Sequence, residues 1–130
     1  GLAERSDPIN HAATMVHDPL DDSPVHVLHQ VGLGDESTPD VTQAALARAL
    51  YLDQVTNGNP SLDHLDVVSP PVTGNTHVDG ASYTAVATLH QPDTGEDPHT
   101  VVFDLDEAIR QMDQFLGTSA QEDPPTVVEP

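Results

Sequence analysis

Apolar positions in this chain come in short, well-separated runs, and two of them read as strands. Residues 25–31, V-H-V-L-H-Q-V, open directly after Pro24 and close at Gly32-Leu33-Gly34-Asp35. Alternation puts Val25, Val27 and His29 on one face and His26, Leu28 and Gln30 on the other. Apolar groups on both faces suit a parallel strand covered on two sides better than a half-wet antiparallel one. Residues 83–90, Y-T-A-V-A-T-L-H, read as a second strand, and Val67-Val68 as a brief one.

Elsewhere the period becomes helical. Thr38 is placed as an N-cap, Pro39 as the first helical residue, and Asp40 at the positive helix end. Thr42, Ala45, Leu46, Ala49 and Leu50 then recur at the spacing of one packed face. Asp104 and Glu107 form an Asp-x-x-Glu capping box. The stripe behind it, Leu105, Ala108, Ile109, Met112, Phe115 and Leu116, predicts a helix that Gly117 stops. Strand, acidic turn and helix make half of a βαβ unit, which implies an α/β chain with a parallel sheet.

The remaining stretches are rich in breakers. Residues 1–24 form a turn-rich segment with Asp7-Pro8 and Asp18-Pro19, and a short helix is expected over Ile9 to Val16. Residues 53–80 read mostly as a loop insertion, with turn chemistry at Asn57-Gly58-Asn59-Pro60. A tight polar loop covers 91–98, and the acidic tail 118–130 is expected to be disordered. The organised domain is therefore placed at 25–117.

Composition narrows the chemistry. Twenty-two Asp and Glu face three Arg and no Lys, for a formal charge of -19. Nucleic acid is excluded as an expected partner, because phosphate neutralisation needs a basic face. The chain has no cysteine, so thiol nucleophiles, disulfides and thiolate metal sites are excluded. No apolar run approaches the roughly 20 residues of a membrane-spanning helix.

Two residues stand where open α/β sheets place their ligands and reactive groups, past the C-terminal ends of strands. Asp35 follows the first strand, and His99 follows the second by one loop. His26 and His29 fall on opposite faces of a strand and do not converge on a metal. His11 and His17 lie in irregular sequence. Asp93-Thr94-Gly95-Glu96-Asp97 lacks the calcium-loop spacing and reads as a solvated acidic loop. Asp40 and His90 are rivals to Asp35 and His99, one explained by the helix dipole and the other by packing. Asn75 is a candidate pocket residue. No metal or cofactor is implied.

The order strand, Asp loop, helix, insertion, strand, His loop, amphipathic helix resembles the C-terminal part of an α/β-hydrolase-fold enzyme. Gly32-Leu33-Gly34-Asp35-Glu36-Ser37-Thr38-Pro39 is similar to that family's G-x-x-D-x-x-x-P turn at its catalytic acid. Pro98-His99-Thr100-Val101-Val102-Phe103 resembles its His segment, with an aromatic four positions after the His and Pro98 where many members have Gly. The stretch VLHQVGLGDESTPDVTQAALARAL is similar to bacterial lipase- and esterase-like members. The resemblance spans about residues 25–117 and implies the last parallel strands of a hydrolase sheet, with Asp35 as acid and His99 as base of a Ser-His-Asp triad. It also implies an ester or lipid substrate.

None of the chain's seven serines has glycine two residues before and after it, so G-x-S-x-G is absent. The expectation is a companion chain or segment that carries the nucleophile and the oxyanion hole, without which this chain is inactive. The other reading, from a different class, is a non-catalytic acidic interaction module.

Overall fold

The computed structural model describes residues 7–20, 24–56, 58, 61–121 and 124–129. Most of the turn expected at 57–60 lies outside them. The strand read from the valine run is β1, Val27–Gly32. The strand expected over 83–90 begins at Ala85 and runs to His90 with every residue buried, while Tyr83 ends a separate strand, Ala81–Tyr83.

Eight strands are described: β1 (Val27–Gly32), β2 (Asp53–Val55), β3 (Val67–Val68), β4 (Val72–Thr73), β5 (Thr76–Val78), β6 (Ala81–Tyr83), β7 (Ala85–His90) and β8 (Thr126–Val127). Helices are α1 (Asp40–Ala49), α2 (Val101–Asp104) and α3 (Asp106–Ser119). The main sheet runs β1-β7-β2-β3, with every neighbouring pair parallel. The molecule is thus mixed α/β, a parallel sheet with helices against it.

Alternation along β7 divides the core. Ala85, Ala87 and Leu89 face α1 and the N-terminal segment, where Ala12, Val16, Ala47 and Leu50 are buried. Two alanines on the strand opposite Ala47 let the helix lie close. Val86 faces the other way, packing with Val55, Val72, Phe115 and Val127. Full burial of a valine or leucine side chain contributes about 1.5–3 kcal/mol, so these small groups hold the layers together collectively.

Several expectations are corrected. The helix expected over Ile9 to Val16 is instead two 3-10 turns, Pro8–Asn10 and Ala12–Thr14. On α1 the buried side chains are Ala44 and Ala47, joined by Leu50 just past its end, and Thr42 is exposed. The face is rotated from the expected one because Ala44 packs against Val31 and Leu89. The cap position belongs to Pro39, since the Thr38 hydroxyl is engaged elsewhere. The capping box does not form: Asp104 ends α2, the chain extends at Leu105, and α3 starts without a side-chain cap. Gly117 lies inside α3, which continues to Ser119.

The loop at 53–80 supplies β2, which pairs with both β7 and β3 and is interior to the sheet. It also supplies the hairpin β5–β6, turned by Asp79 and Gly80 with positive φ of 50° and 86°. The tail, expected to be disordered, is docked over its described residues. β8 pairs antiparallel with β4 and buries Val127 completely. Thr84 Oγ1 donates to the Pro125 carbonyl at 2.5 Å, and Gln111 Nε2 to that of Val128 at 2.8 Å.

Candidate functional site

Because β1 and β7 are parallel neighbours in register, Gly32 lies beside His90 and both strands end at one sheet edge. The Leu33 amide donates to the His90 carbonyl at 2.9 Å, closing the ladder where the two loops depart. One loop carries Asp35 and the other His99, although 64 residues separate them in sequence.

Asp35 is buried, and donors surround its carboxylate. The amides of Ser37 and Thr38 donate to Oδ1 at 2.7 and 3.1 Å, and the Thr38 hydroxyl donates to Oδ2. The Thr38 hydroxyl holds the carboxyl far below the usual carboxylate range, reinforced by His99 and the two amides against the cost of burial. Asp35 is therefore an anion that can only accept.

His99 stands on a 3-10 turn, Pro98–Thr100, that Asp97 caps. Asp97 Oδ1 accepts from the His99 amide at 2.9 Å, and the Asp97 carbonyl accepts from the Thr100 amide at 3.1 Å. The ring places Nδ1 2.8 Å from Asp35 Oδ2, with the His99 side chain 52 % exposed. Facing an ionised acceptor, Nδ1 must carry the proton, which leaves Nε2 of the neutral ring as a basic lone pair. The hydrogen bond to Asp35, its charge and that of Asp97 raise the affinity of the ring for a second proton. The arrangement can take a proton at Nε2 and stabilise the cation that results.

The rival residues have other partners. Asp40 Oδ1 accepts from the Gly34 amide at 3.2 Å, bracing the acid loop. His90 is fully buried. Its Nδ1 lies 3.2 Å from Glu107 Oε1, and its Nε2 is 3.1 Å from Thr88 Oγ1 and 3.5 Å from Gln30 Nε2. Burial lowers its affinity for a proton, with Glu107 opposing. Gln30 also donates to the Ala108 carbonyl at 2.8 Å, so this polar group fastens β1 and β7 to α3. Sequence reasoning missed this second histidine–carboxylate pair, whose signal was Glu107 at the start of a helix following a strand that ends in His90.

Asn75 is a clamp rather than a pocket residue. Its Nδ2 donates to Asp53 Oδ2 and the Ala85 carbonyl at 2.8 and 2.9 Å, and its Oδ1 accepts from the Ala85 amide. His26 Nδ1 accepts from the Thr84 amide at 3.1 Å, while burial lowers the affinity of His29 for a proton, with a hydrogen bond to Gln43 opposing. His17 stacks on Tyr51 with ring centroids 4.4 Å apart. The Asp93–Asp97 loop closes on itself, with the Glu96 amide on the Asp93 carbonyl at 3.0 Å. Among the described residues, no group of three or more His, Asp or Glu is arranged to hold a metal ion, and no helix is long and apolar enough to cross a membrane.

No protein-family model, no curated protein and no solved structure matches this chain.

Proposed function

We propose that this chain supplies the acid and the base of a serine hydrolase acting on carboxylic esters, with the nucleophilic serine contributed from outside these 130 residues. The observation that carries the reading is the 2.8 Å contact between His99 Nδ1 and an Asp35 carboxylate already fixed by Ser37 and Thr38. An aspartate locked by three other donors orients the imidazole and fixes its tautomer, which is the role of the acid in a triad.

In this reading His99 Nε2 takes the proton of the incoming serine hydroxyl as its oxygen attacks the ester carbonyl. Asp35 stabilises the imidazolium without becoming protonated. As the tetrahedral intermediate collapses, His99 returns the proton to the leaving alkoxide, and an alcohol departs. A water molecule then repeats the sequence on the acyl-enzyme, with His99 as base and then acid.

The sheet supports a contribution from elsewhere. Among the described residues β1 pairs on one side only, with β7. Beside it runs an open apolar groove of about 460 Å³ lined by Met15, Val27, Leu28, Met112, Phe115 and Leu116. A further parallel strand from the companion, covering this edge and groove, would bring a strand-end nucleophile to the same edge as His99. An unpaired strand edge is otherwise a liability.

The test is ester turnover by the natively assembled protein and its variants. His99→Ala should cost several orders of magnitude in kcat. Asp35→Asn should also be severe, because the ring loses its anionic partner and Asp40 is committed to the Gly34 amide. Turnover unchanged by His99→Ala would overturn the proposal.

A further inference from the structure

We infer that Gly32 is the positioning residue of the Asp35–His99 pair, because the absence of a side chain there lets the Pro98–Thr100 turn close over the end of β1. The inference concerns the geometry of the pair, and it rests on the hydrolase reading only where it extends to turnover.

Gly32 is the last residue of β1, and positive φ is not what requires glycine there. Space does. A Cβ at this position would stand 2.0 Å from the Pro98 carbonyl oxygen, 2.8 Å from its carbon and 3.0 Å from Val101 Cγ1. Ordinary van der Waals contact begins at 3.4 Å, so the turn would have to retreat by more than an ångström. The obstacle is backbone and cannot rotate away. Gly34, two residues on, is the opposite case: its φ is +82° and nothing lies within 4 Å of a Cβ there.

The retreat falls on His99 because both ends of the contact are otherwise fixed. Asp35 is held by Ser37 and Thr38 on the β1 side. Across from it, the turn is internally tied through Asp97 to the amides of His99 and Thr100, and it continues into buried Val101. The turn therefore moves as a unit with the imidazole on it. A displacement of that size carries Nδ1 out of the roughly 2.7–3.2 Å range of a hydrogen bond. Gly32 thus acts through the backbone of Pro98 rather than on any reacting atom.

The test is the titration of the His99 ring in the folded chain, followed by NMR in wild type, Gly32→Ala, Asp35→Asn and the double variant. The charged groups facing the ring are Asp35 and Asp97, and Asp97 is left intact throughout. Gly32→Ala should lower the His99 midpoint to that of Asp35→Asn, and combining the two should lower it no further. Gly117→Ala, which adds a Cβ with nothing within 4 Å, should leave the midpoint at the wild-type value. If Gly32→Ala does not fold, Gly32→Ala/Val101→Ala gives the turn room to ride up and is read in the same way. A folded Gly32→Ala chain with the wild-type midpoint overturns the inference. So does loss of folding in both variants, since Gly32 would then hold the sheet rather than the pair. In the assembled enzyme the same variant should lower kcat by roughly 100-fold with KM little changed, as expected for a misplaced base. The titration needs no substrate, so failure of ester turnover and failure of this inference are read separately.

Discussion

Thr38 shows how a local signal is redirected by the site it serves. A threonine before Pro-Asp reads as a helix cap, yet its hydroxyl donates to Asp35 and the cap position passes to Pro39. Nothing in the spacing separates those two roles, since the Asp35 carboxylate and the amides of the first helical turn all lie within one turn of Thr38. Each residue's place past a strand end was legible for Asp35 and His99, and their pairing only through the resemblance, which assigns an acid and a base to those two loops. Gly32 was legible only as part of a motif, because its reason lies in a carbonyl 66 positions away. The two histidine–carboxylate pairs predict opposite pH behaviour. The His99 midpoint is raised in the fold by Asp35. Its stabilising contribution is therefore complete below the unfolded midpoint near 6.5 and is lost as pH rises through the folded midpoint. The His90 midpoint is lowered by burial. Its protonation favours the unfolded chain, and stability is lost as pH falls below about 6.5. Melting curves should show His99→Gln more destabilising at pH 5.5 than at pH 8.5. His90→Gln should compare better with wild type at the acid end than at the alkaline end.

At the scale of elements, the long apolar runs were readable and the short ones were not. β1 and β7 carry enough consecutive valine, alanine and leucine to identify themselves. β2, only three residues long, is interior through pairings with β7 and β3 that its sequence does not encode. The β5–β6 hairpin did carry a signal, Asp79-Gly80, the dipeptide best suited to a two-residue turn. The tail misled for a physical reason. Two valines offer too little burial to order a free chain, but β4 and the Thr84 and Gln111 side chains provide a prepared slot. Truncation after Gln121 should therefore destabilise the fold, exposing Val72 and leaving buried Gln111 without its Val128 acceptor. Val127→Ala alone should cost about 2 kcal/mol in denaturant unfolding. A truncated chain with the wild-type midpoint would show that the docked strand contributes nothing.

For the whole molecule, charge is the dominant condition. The 22 Asp and Glu are offset only by Arg5, Arg48 and Arg110, leaving a formal charge of -19; Arg5 lies outside the described residues. Arg48 and Arg110 donate to the backbone carbonyls of Asp63 and Glu129. Self-repulsion of this kind is screened over roughly 8–10 Å at physiological ionic strength. The melting temperature should accordingly rise with sodium chloride, and a flat or falling dependence would count against repulsion as a limit on stability. The pair at the end of β1 and β7 is proposed as the acid–base half of an active site whose nucleophile lies beyond this chain. Fluorophosphonate labelling of the native assembly, with the modified residue mapped by mass spectrometry, tests it most directly. The expected result is a labelled serine outside these 130 residues, no labelling of the chain alone, and loss of labelling in His99→Ala; a label on any of the chain's own seven serines would contradict the proposed role of the pair.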